Sequence, residues 1–248
     1  MQLSALLNIR PGITSIIGSG GKSTMLRILG TELSRHSRVI LTTTTHILPF
    51  ADIPLLRCLP AGDALPQNPD RTAGSADTFC RPELSALESA FAVSPILQIG
   101  TPLMDGSGKL TAPSFSFKEL CSAADYILVE ADGSRHFPVK AHAAWEPVIP
   151  EGSRCSITVI GASGFGKPLS EVCHRPEIFM ELLGITDPSV LLTGEMAAQV
   201  LIKEALSDIV FLNQTDTADP GETDCFLKNI RIRFPFAAGS LLKQQWNQ

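Results

Sequence analysis

Residues 13–29, ITSIIGSGGKSTMLRIL, constrain the fold more than any other stretch, because the hydrophobic period changes there within a run of glycines. Ile13, Ser15, Ile16 and Ile17 read as a short buried strand, and residues 23–33 as a helix with Met25, Leu26, Leu29 and Leu33 on one face. Between them stand Gly18, Ser19, Gly20, Gly21, Lys22, Ser23 and Thr24. A strand, a glycine-rich turn and then Lys-Ser-Thr opening a helix is an arrangement that holds nucleotide phosphates. Glycines leave the backbone N–H groups unhindered, the helix N-terminus favours an anion, Lys22 reaches the outer phosphates, and the Ser23 hydroxyl meets Mg²⁺. The spacing departs from G-x-x-x-x-G-K-[ST], whose first glycine falls on Ile16, so the loop is shortened or reshaped around Gly18. The plainer alternative is a glycine-rich turn carrying a surface lysine; the order of strand, glycines, Lys-Ser and helix favours phosphate.

The length of 248 residues allows one large α/β domain or two small ones and suffices for a substantial core, and a hydrophobic fraction of 44% with mixed charges fits a soluble globular protein. A net charge of −5 without any basic run argues against nucleic acid as a partner. Cys58, Cys80, Cys121, Cys155, Cys173 and Cys225 lack the C-x-x-C or Cys/His spacing of a zinc site. With no export signal, they read as reduced thiols in a cytoplasmic protein. No segment reaches the roughly 20 apolar residues needed to cross a bilayer, so no membrane partner is expected.

A second strand at residues 38–41 runs into Thr42, Thr43, Thr44, Thr45 and His46. Threonines leaving a strand in an α/β protein sit at the carboxyl edge of the sheet, where ligands bind, and Thr44 or Thr45 is a candidate for ordering Mg²⁺ or its water. The alternative is a β-favouring continuation of the strand. His46 reads as a structural hydrogen-bonder. Residues 49–82 carry prolines, glycines and aspartates without a sustained period, which predicts a long irregular excursion. A short helix at 83–91 and a β-hairpin built from 96–100 and 109–111 complete an insertion spanning 49–113.

DYILVEADGSRHFPVK, residues 125–140, holds the second signal. The apolar run 126–129 suits a strand buried on both faces and delivers Glu130 and Asp132 to its end. An acid following such a strand holds Mg²⁺ or its hydration water in phosphate-loop proteins; Glu130 is the first candidate and Asp132 the second. Asp132-Gly133 also reads as a simple turn. Arg135, His136 and Lys140 follow as cations for a phosphate or an anionic substrate.

GASGFGKP at 161–168 matches G-x-x-x-x-G-K better than the first loop does, but Pro168 supplies no hydroxyl for a metal; it reads as a substrate-side loop leading to His174, Arg175, Pro176 and Glu177. Helices are expected to about 183 and over about 195–205. A strand at 208–212 then runs into Asn213, Gln214, Thr215 and Asp216. Asn-x-x-Asp after a late strand is a guanine-reading pattern in which the Asp accepts from the base, although Gln214 stands where lysine is usual. A last strand is expected near 233–236, with residues 237–240 completing a base pocket.

Taken together and in this order, GSGGKST, TTTTH, VEADGSR with Lys140 and WEPVIP, GKPL with HRPE, and LNQTD resemble the selenium cofactor biosynthesis protein YqeC family, over about residues 10–240. The resemblance implies a three-layer α/β domain like those of phosphate-loop NTPases, with a mostly parallel central sheet and an inserted hairpin and loop segment. It also implies a role in maturing the selenium-containing molybdenum centre of selenium-dependent hydroxylases. Partners would be such a hydroxylase or a molybdenum-cofactor cytidylyltransferase-like protein. Family motif positions fall on Gly18, Gly20, Gly21, Lys22, Ser23, Glu130, Asp132, Lys140, Asn213 and Asp216.

The expectation is therefore a single domain that binds Mg²⁺ with GTP or ATP and hydrolyses the nucleotide slowly. Lys22 and the loop amides stabilise the transferring phosphoryl group, Ser23 and Glu130 or Asp132 hold the metal, and Arg135 or Lys140 adds positive charge. A small-molecule kinase or ligase and a non-catalytic, nucleotide-gated scaffold remain alternatives.

Overall fold

The structure is a computed structural model describing residues 1–59, 78–80 and 83–247. Of the irregular excursion expected over residues 49–82, residues 60–77, 81 and 82 lie outside the described residues, and Leu55–Cys58 and Thr78–Cys80 within it are strands.

Chain order is α1 (Leu3–Leu6), β1 (Gly12–Gly18), α2 (Lys22–Leu33), β2 (Val39–Thr43), β3 (Leu55–Cys58), β4 (Thr78–Cys80), α3 (Leu84–Phe91), β5 (Ile96–Pro102) and β6 (Leu110–Thr111). There follow α4 (Phe117–Ala123), β7 (Tyr126–Glu130), β8 (Val139–Lys140), β9 (Ser153–Gly161), α5 (Leu169–Val172), β10 (Cys173–His174), α6 (Pro176–Leu183) and α7 (Gly194–Glu204). The chain closes with β11 (Ile209–Asn213), α8 (Pro220–Ile230), β12 (Phe236–Ser240) and β13 (Gln245–Asn247). Helix boundaries follow local chemistry. Ser116 and Glu119 form a reciprocal capping box on α4, Asp219 caps α8 ahead of Pro220, and α6 opens with Pro176 and stops at left-handed Gly184.

The main sheet runs β13-β12-β11-β9-β1-β7-β2-β5-β3-β4, with β6 beside β5. Every pairing is parallel except β12 with β13 and β5 with β6. Alternate residues of the inner strands supply opposite faces. Ile16, Leu41, Leu128, Val159 and Phe211 pack under α1 and α2, while Ile17, Ile40, Ile127 and Val129 pack under α3 and α4. On that second face, farther along the sheet, Ile160, Val210 and Leu212 pack against α6, α7 and α8. The result is three layers, helices on both faces of a mostly parallel sheet, as the apolar strand runs predict.

Two expectations change. β5 does pair antiparallel with 110–111, but through Thr101 and Pro102 and not through the expected 96–100, which make β5 an inner strand held between β2 and β3. An apolar run buried on both faces reads the same in a hairpin as in a parallel sheet, so periodicity alone did not separate them. The last parallel strand is 236–240 rather than 233–236: Gly239 lies so close to β13 that a Cβ there would stand 2.1 Å from the Gln245 carbonyl oxygen. Small residues expected in a loop are thus strand residues at a crowded pairing.

Candidate functional site

The carboxyl ends of β1, β7, β9 and β11 lie side by side, and the segments leaving them build one cleft of about 1040 Å³. Its lining includes Gly20 to Thr24, Thr45, His46, Glu130, Gly133 to Phe137, His174, Arg175 and Gln214.

The glycine loop turns at Gly18, in the left-handed half of backbone space, with Ile16 fully buried inside β1. Gly20 packs so tightly that a Cβ would stand 2.6 Å from the Gly161 nitrogen, and Gly21, at φ 140°, leaves only 2.4 Å to the Asn213 amide nitrogen. Those contacts demand glycine. The 161–168 loop is thereby explained: Gly161 buttresses the glycine loop. Gly18 and Ser19 lie beneath the loop instead of lining the cleft. Their amides donate to Asp132 and to the Val159 carbonyl, and the Ser19 hydroxyl donates to the Phe137 carbonyl. Among the described residues, nothing accepts from the amides of Gly20 through Thr24. Five consecutive N–H groups at the start of α2 are left to an anion.

Lys22 is buried. Its ammonium donates to the Gly18 carbonyl at 2.8 Å and to the Ser134 hydroxyl at 3.1 Å, and lies 3.2 Å from Asp132 and 4.0 Å from Glu130. The Ser23 hydroxyl donates to Glu130 at 2.7 Å. Burial pushes the Glu130 carboxyl above its ordinary range, against the pull of Lys22 and Ser23. A hydroxyl and a carboxylate oxygen in contact at the rim of an anion cradle are a donor set that suits Mg²⁺, which takes few protein oxygens and keeps its waters. No cluster of three or more His, Cys, Asp or Glu side chains is placed to hold a metal among the described residues.

Asp132 does something else. It is fully buried, and its carboxylate accepts from the Gly18 amide at 2.8 Å and from Lys140 at 3.1 Å, and meets the His142 ring at 2.9 Å. Burial pushes this carboxyl up, but Lys22, the His142 hydrogen bond and Lys140 together outweigh it and hold it well below the usual carboxylate range. The expected second metal candidate is thus an anchor under the loop. Lys140, expected among the catalytic cations, is likewise enclosed: its ammonium donates to Gly133 at 2.7 Å and pairs with Asp132 and Glu146, each at 3.1 Å. Both side chains are consumed by structure.

His142 and Glu204, which carry this network, were not singled out in the sequence, and Glu146 stood there only within the WEPVIP motif, with no role assigned. The His142 ring bridges Asp132 and Glu204, at 2.9 and 2.8 Å. Burial lowers its pKa, but its hydrogen bonds to Asp132 and Glu204 outweigh that and raise it. The available signal was the alternation of Lys140, His142 and Glu146 beyond a buried strand, which period analysis does not score.

At the end of β11, Asn213 ties the loop in place: its amide donates to the Gly20 carbonyl at 2.7 Å while its oxygen accepts from the Leu241 amide at 2.9 Å. Asp216 pairs with Lys243 at 3.0 Å and does not line the cleft, whereas Gln214 does. The Thr44 hydroxyl donates to the Val148 carbonyl at 2.7 Å, and of the run 42–45 it is Thr45 that lines the cleft. His46 is exposed in the lining and bonds to no described residue, unlike the structural role expected of it. Parallel pairing of β8 with β10 sets His174 beside Lys140 and so draws the His174-Arg175 segment into the same cleft. Cys173 is buried there, its thiol pushed up to about 12 chiefly by burial, which removes it as a nucleophile. No helix is long and apolar enough to cross a membrane among the described residues.

The model for the YqeC protein family matches residues 14–177. A protein of Escherichia coli (strain K12) known as uncharacterized protein YqeC is 32% identical over 197 residues, covering 77% of this chain and 68% of that protein. No solved structure matches the chain.

Proposed function

The chain belongs to the YqeC protein family, and from that premise and the cleft we propose that it binds a Mg²⁺-nucleoside triphosphate, GTP or ATP, and hydrolyses it slowly. The observation that carries this reading is the row of five unpartnered amides, Gly20 to Thr24, beside Lys22 and the Ser23–Glu130 pair.

In this reading the amides hold the phosphates and Lys22 offsets the negative charge that builds on the transferring phosphoryl group. Asp132 and the Gly18 carbonyl hold the Lys22 ammonium in place, so little reorganisation is needed when the anion arrives. Ser23 and Glu130 would hold Mg²⁺, which supplies charge neutralisation on the phosphates when bound. Resemblance to the selenium cofactor biosynthesis proteins supports the reading that this turnover serves the maturation of selenium-containing molybdenum hydroxylases. The hydroxylase, or a cytidylyltransferase-like protein acting on its cofactor, would be the partner.

Calorimetric titration with GTP, ATP and CTP, with and without Mg²⁺, tests the reading. Saturable, Mg²⁺-dependent binding lost in Lys22→Ala is expected; affinity unchanged by Lys22→Ala would sink it. A second reading, transfer to a small acceptor, is favoured by one observation: the β8–β10 pairing brings His174 and Arg175 into the same cleft. Turnover stimulated by an acceptor, with a phosphorylated product, distinguishes it from hydrolysis. Tight binding without any turnover would instead indicate a nucleotide-gated scaffold.

A further inference from the structure

The glycine loop, Ser23 and Glu130 account for only part of the cleft lining. Another part comes from the turn after β7 and from the junction of β10 with α6, and it brings in two arginines and two imidazoles: Arg135, His136, His174 and Arg175. Three of these four stand in left-handed backbone, Arg135 at φ 49°, His136 at 66° and Arg175 at 68°. Residues other than glycine adopt that region rarely, and such residues concentrate at ligand clamps.

The charge around them is unbalanced. Arg135 and His136 are exposed and make no hydrogen bond or ion pair with any described residue. Arg175 lies over the Trp145 ring at 5.1 Å, with its Nε 2.8 Å from Glu146. That carboxylate is already shared with Lys140 at 3.1 Å. Glu130 is engaged by Ser23, which leaves exposed Glu177 as the remaining carboxylate of the lining. His174 stacks against Phe137, centroids 6.2 Å apart, and is held below its usual pKa by burial and then by the charges of Lys140 and Arg175, with Arg135 adding to them. The stacking of Phe137 on His174 brings the turn that carries Arg135 and His136 against the segment that carries Arg175.

We propose that Arg135, His136 and Arg175 form a docking subsite for the anionic group, phosphate or carboxylate, of a small co-substrate that shares the cleft with the nucleotide. The name co-substrate rests on the nucleotide reading; the anion subsite itself does not. An arginine guanidinium matches either anion bidentately, and Arg135 has no described partner to give up when the anion arrives.

The test uses the full chain saturated with Mg²⁺ and a non-hydrolysable GTP or ATP analogue. It is titrated separately with glycerol 2-phosphate and with glutarate while the His136 and His174 ring resonances are followed by NMR. One probe is expected to shift both resonances saturably, and which one does so identifies the anion. Arg135→Asn, at an unpartnered position and with a residue that tolerates left-handed backbone, should weaken that binding about tenfold. Arg175→Gln should weaken it similarly. Saturation by neither probe, or affinity unchanged in Arg135→Asn, overturns the proposal. So does affinity lost in Lys22→Ala instead, which would place the anion on the glycine loop. If the nucleotide analogue does not bind, the nucleotide reading fails alone; probe binding lost in Arg135→Asn and kept in Lys22→Ala would still sustain the subsite.

Discussion

Asp132 and Gly18 are joined across two neighbouring strand ends: Asp132 Oδ2 accepts the Gly18 amide hydrogen at 2.8 Å, the residues being 114 apart in sequence. The first residue of the glycine loop is thus fixed by the strand that also presents Glu130, and the loop cannot move relative to that acid without breaking a buried, charge-assisted bond. The same carboxylate meets Lys22, Lys140 and His142, so the position of the loop and the ionisation of the network are one property.

Asp132→Ala leaves Lys22, Lys140 and the Gly18 amide buried without their common partner. Breaking a buried ion pair from one side costs about 3–5 kcal/mol, and a loss of that size is expected in urea unfolding. A change below about 1 kcal/mol would mean that water replaces the carboxylate and that the site is wetter than its burial indicates.

His142 makes stability pH-dependent. Its folded-state pKa is raised above the ordinary 6.5, so the stability contributed by its pairing with Asp132 and Glu204 is fully present below 6.5 and is lost as pH rises through the folded value. Asp132 acts in the opposite sense: its contribution is present above 3.8 and is lost as pH falls through its depressed value. Urea midpoints measured from pH 5.5 to 9 should fall on the alkaline side for the wild type. His142→Phe should remove that slope.

Glu130→Gln separates metal from fold. Burial already disfavours the charged carboxylate, so removing the charge should leave stability within about 1 kcal/mol of wild type while the Mg²⁺-dependent part of nucleotide affinity falls about tenfold or more. In the wild type, Mg²⁺ affinity should fall as pH drops through the raised Glu130 value, because the metal needs the deprotonated acid. Calorimetry in two buffers of different ionisation enthalpy reads that proton directly.

Asn213 and Asp216 are expected to diverge. Asn213→Ala removes both bonds that tie the loop to Gly20 and Leu241, and should cost about 1–3 kcal/mol while weakening every nucleotide alike. Asp216→Ala removes a surface pairing with Lys243 and a hydrogen bond with Ser240 and should change stability little. GTP preference abolished in Asp216→Ala alone would support guanine reading there; a preference untouched by it assigns base choice elsewhere, with Gln214 in the lining the next position to change.

The elements of the site were legible where sequence spacing reports local geometry. Strand, glycines, Lys22 and Ser23 predict their own arrangement, and the apolar run 126–129 predicts an acid at its end. In the sequence Glu130 ranks ahead of Asp132, and Glu130 is the acid that lines the cleft; spacing did not reveal what Asp132 does instead. Glu130 and Asp132 differ because Lys140, His142 and Gly18 converge on one of them, a tertiary fact carried by residues far apart in the chain. The same holds for Lys140, a plausible surface cation by sequence that the two-residue pairing of β8 with β10 encloses, and for β5, whose inner place depends on neighbours no local pattern encodes. The family motifs contain Arg135, in VEADGSR, and Arg175, in HRPE, but their order along the chain does not show that they share one cleft with His136, which follows only once β10 meets β8.

The strand order has a consequence in time. β1 emerges early, yet both of its edges are filled by strands that come much later, β7 beginning at Tyr126 and β9 at Ser153. Until those arrive, the segment that will cradle an anion has neither the Asp132 carboxylate beneath it nor the Val159 carbonyl beside it. Contacts this distant slow folding, since the intervening chain must be closed before they form. A growing chain therefore carries the letters GSGGKST long before it owns the cradle they spell, and a nascent or truncated copy ending short of residue 153 should ignore nucleotide altogether.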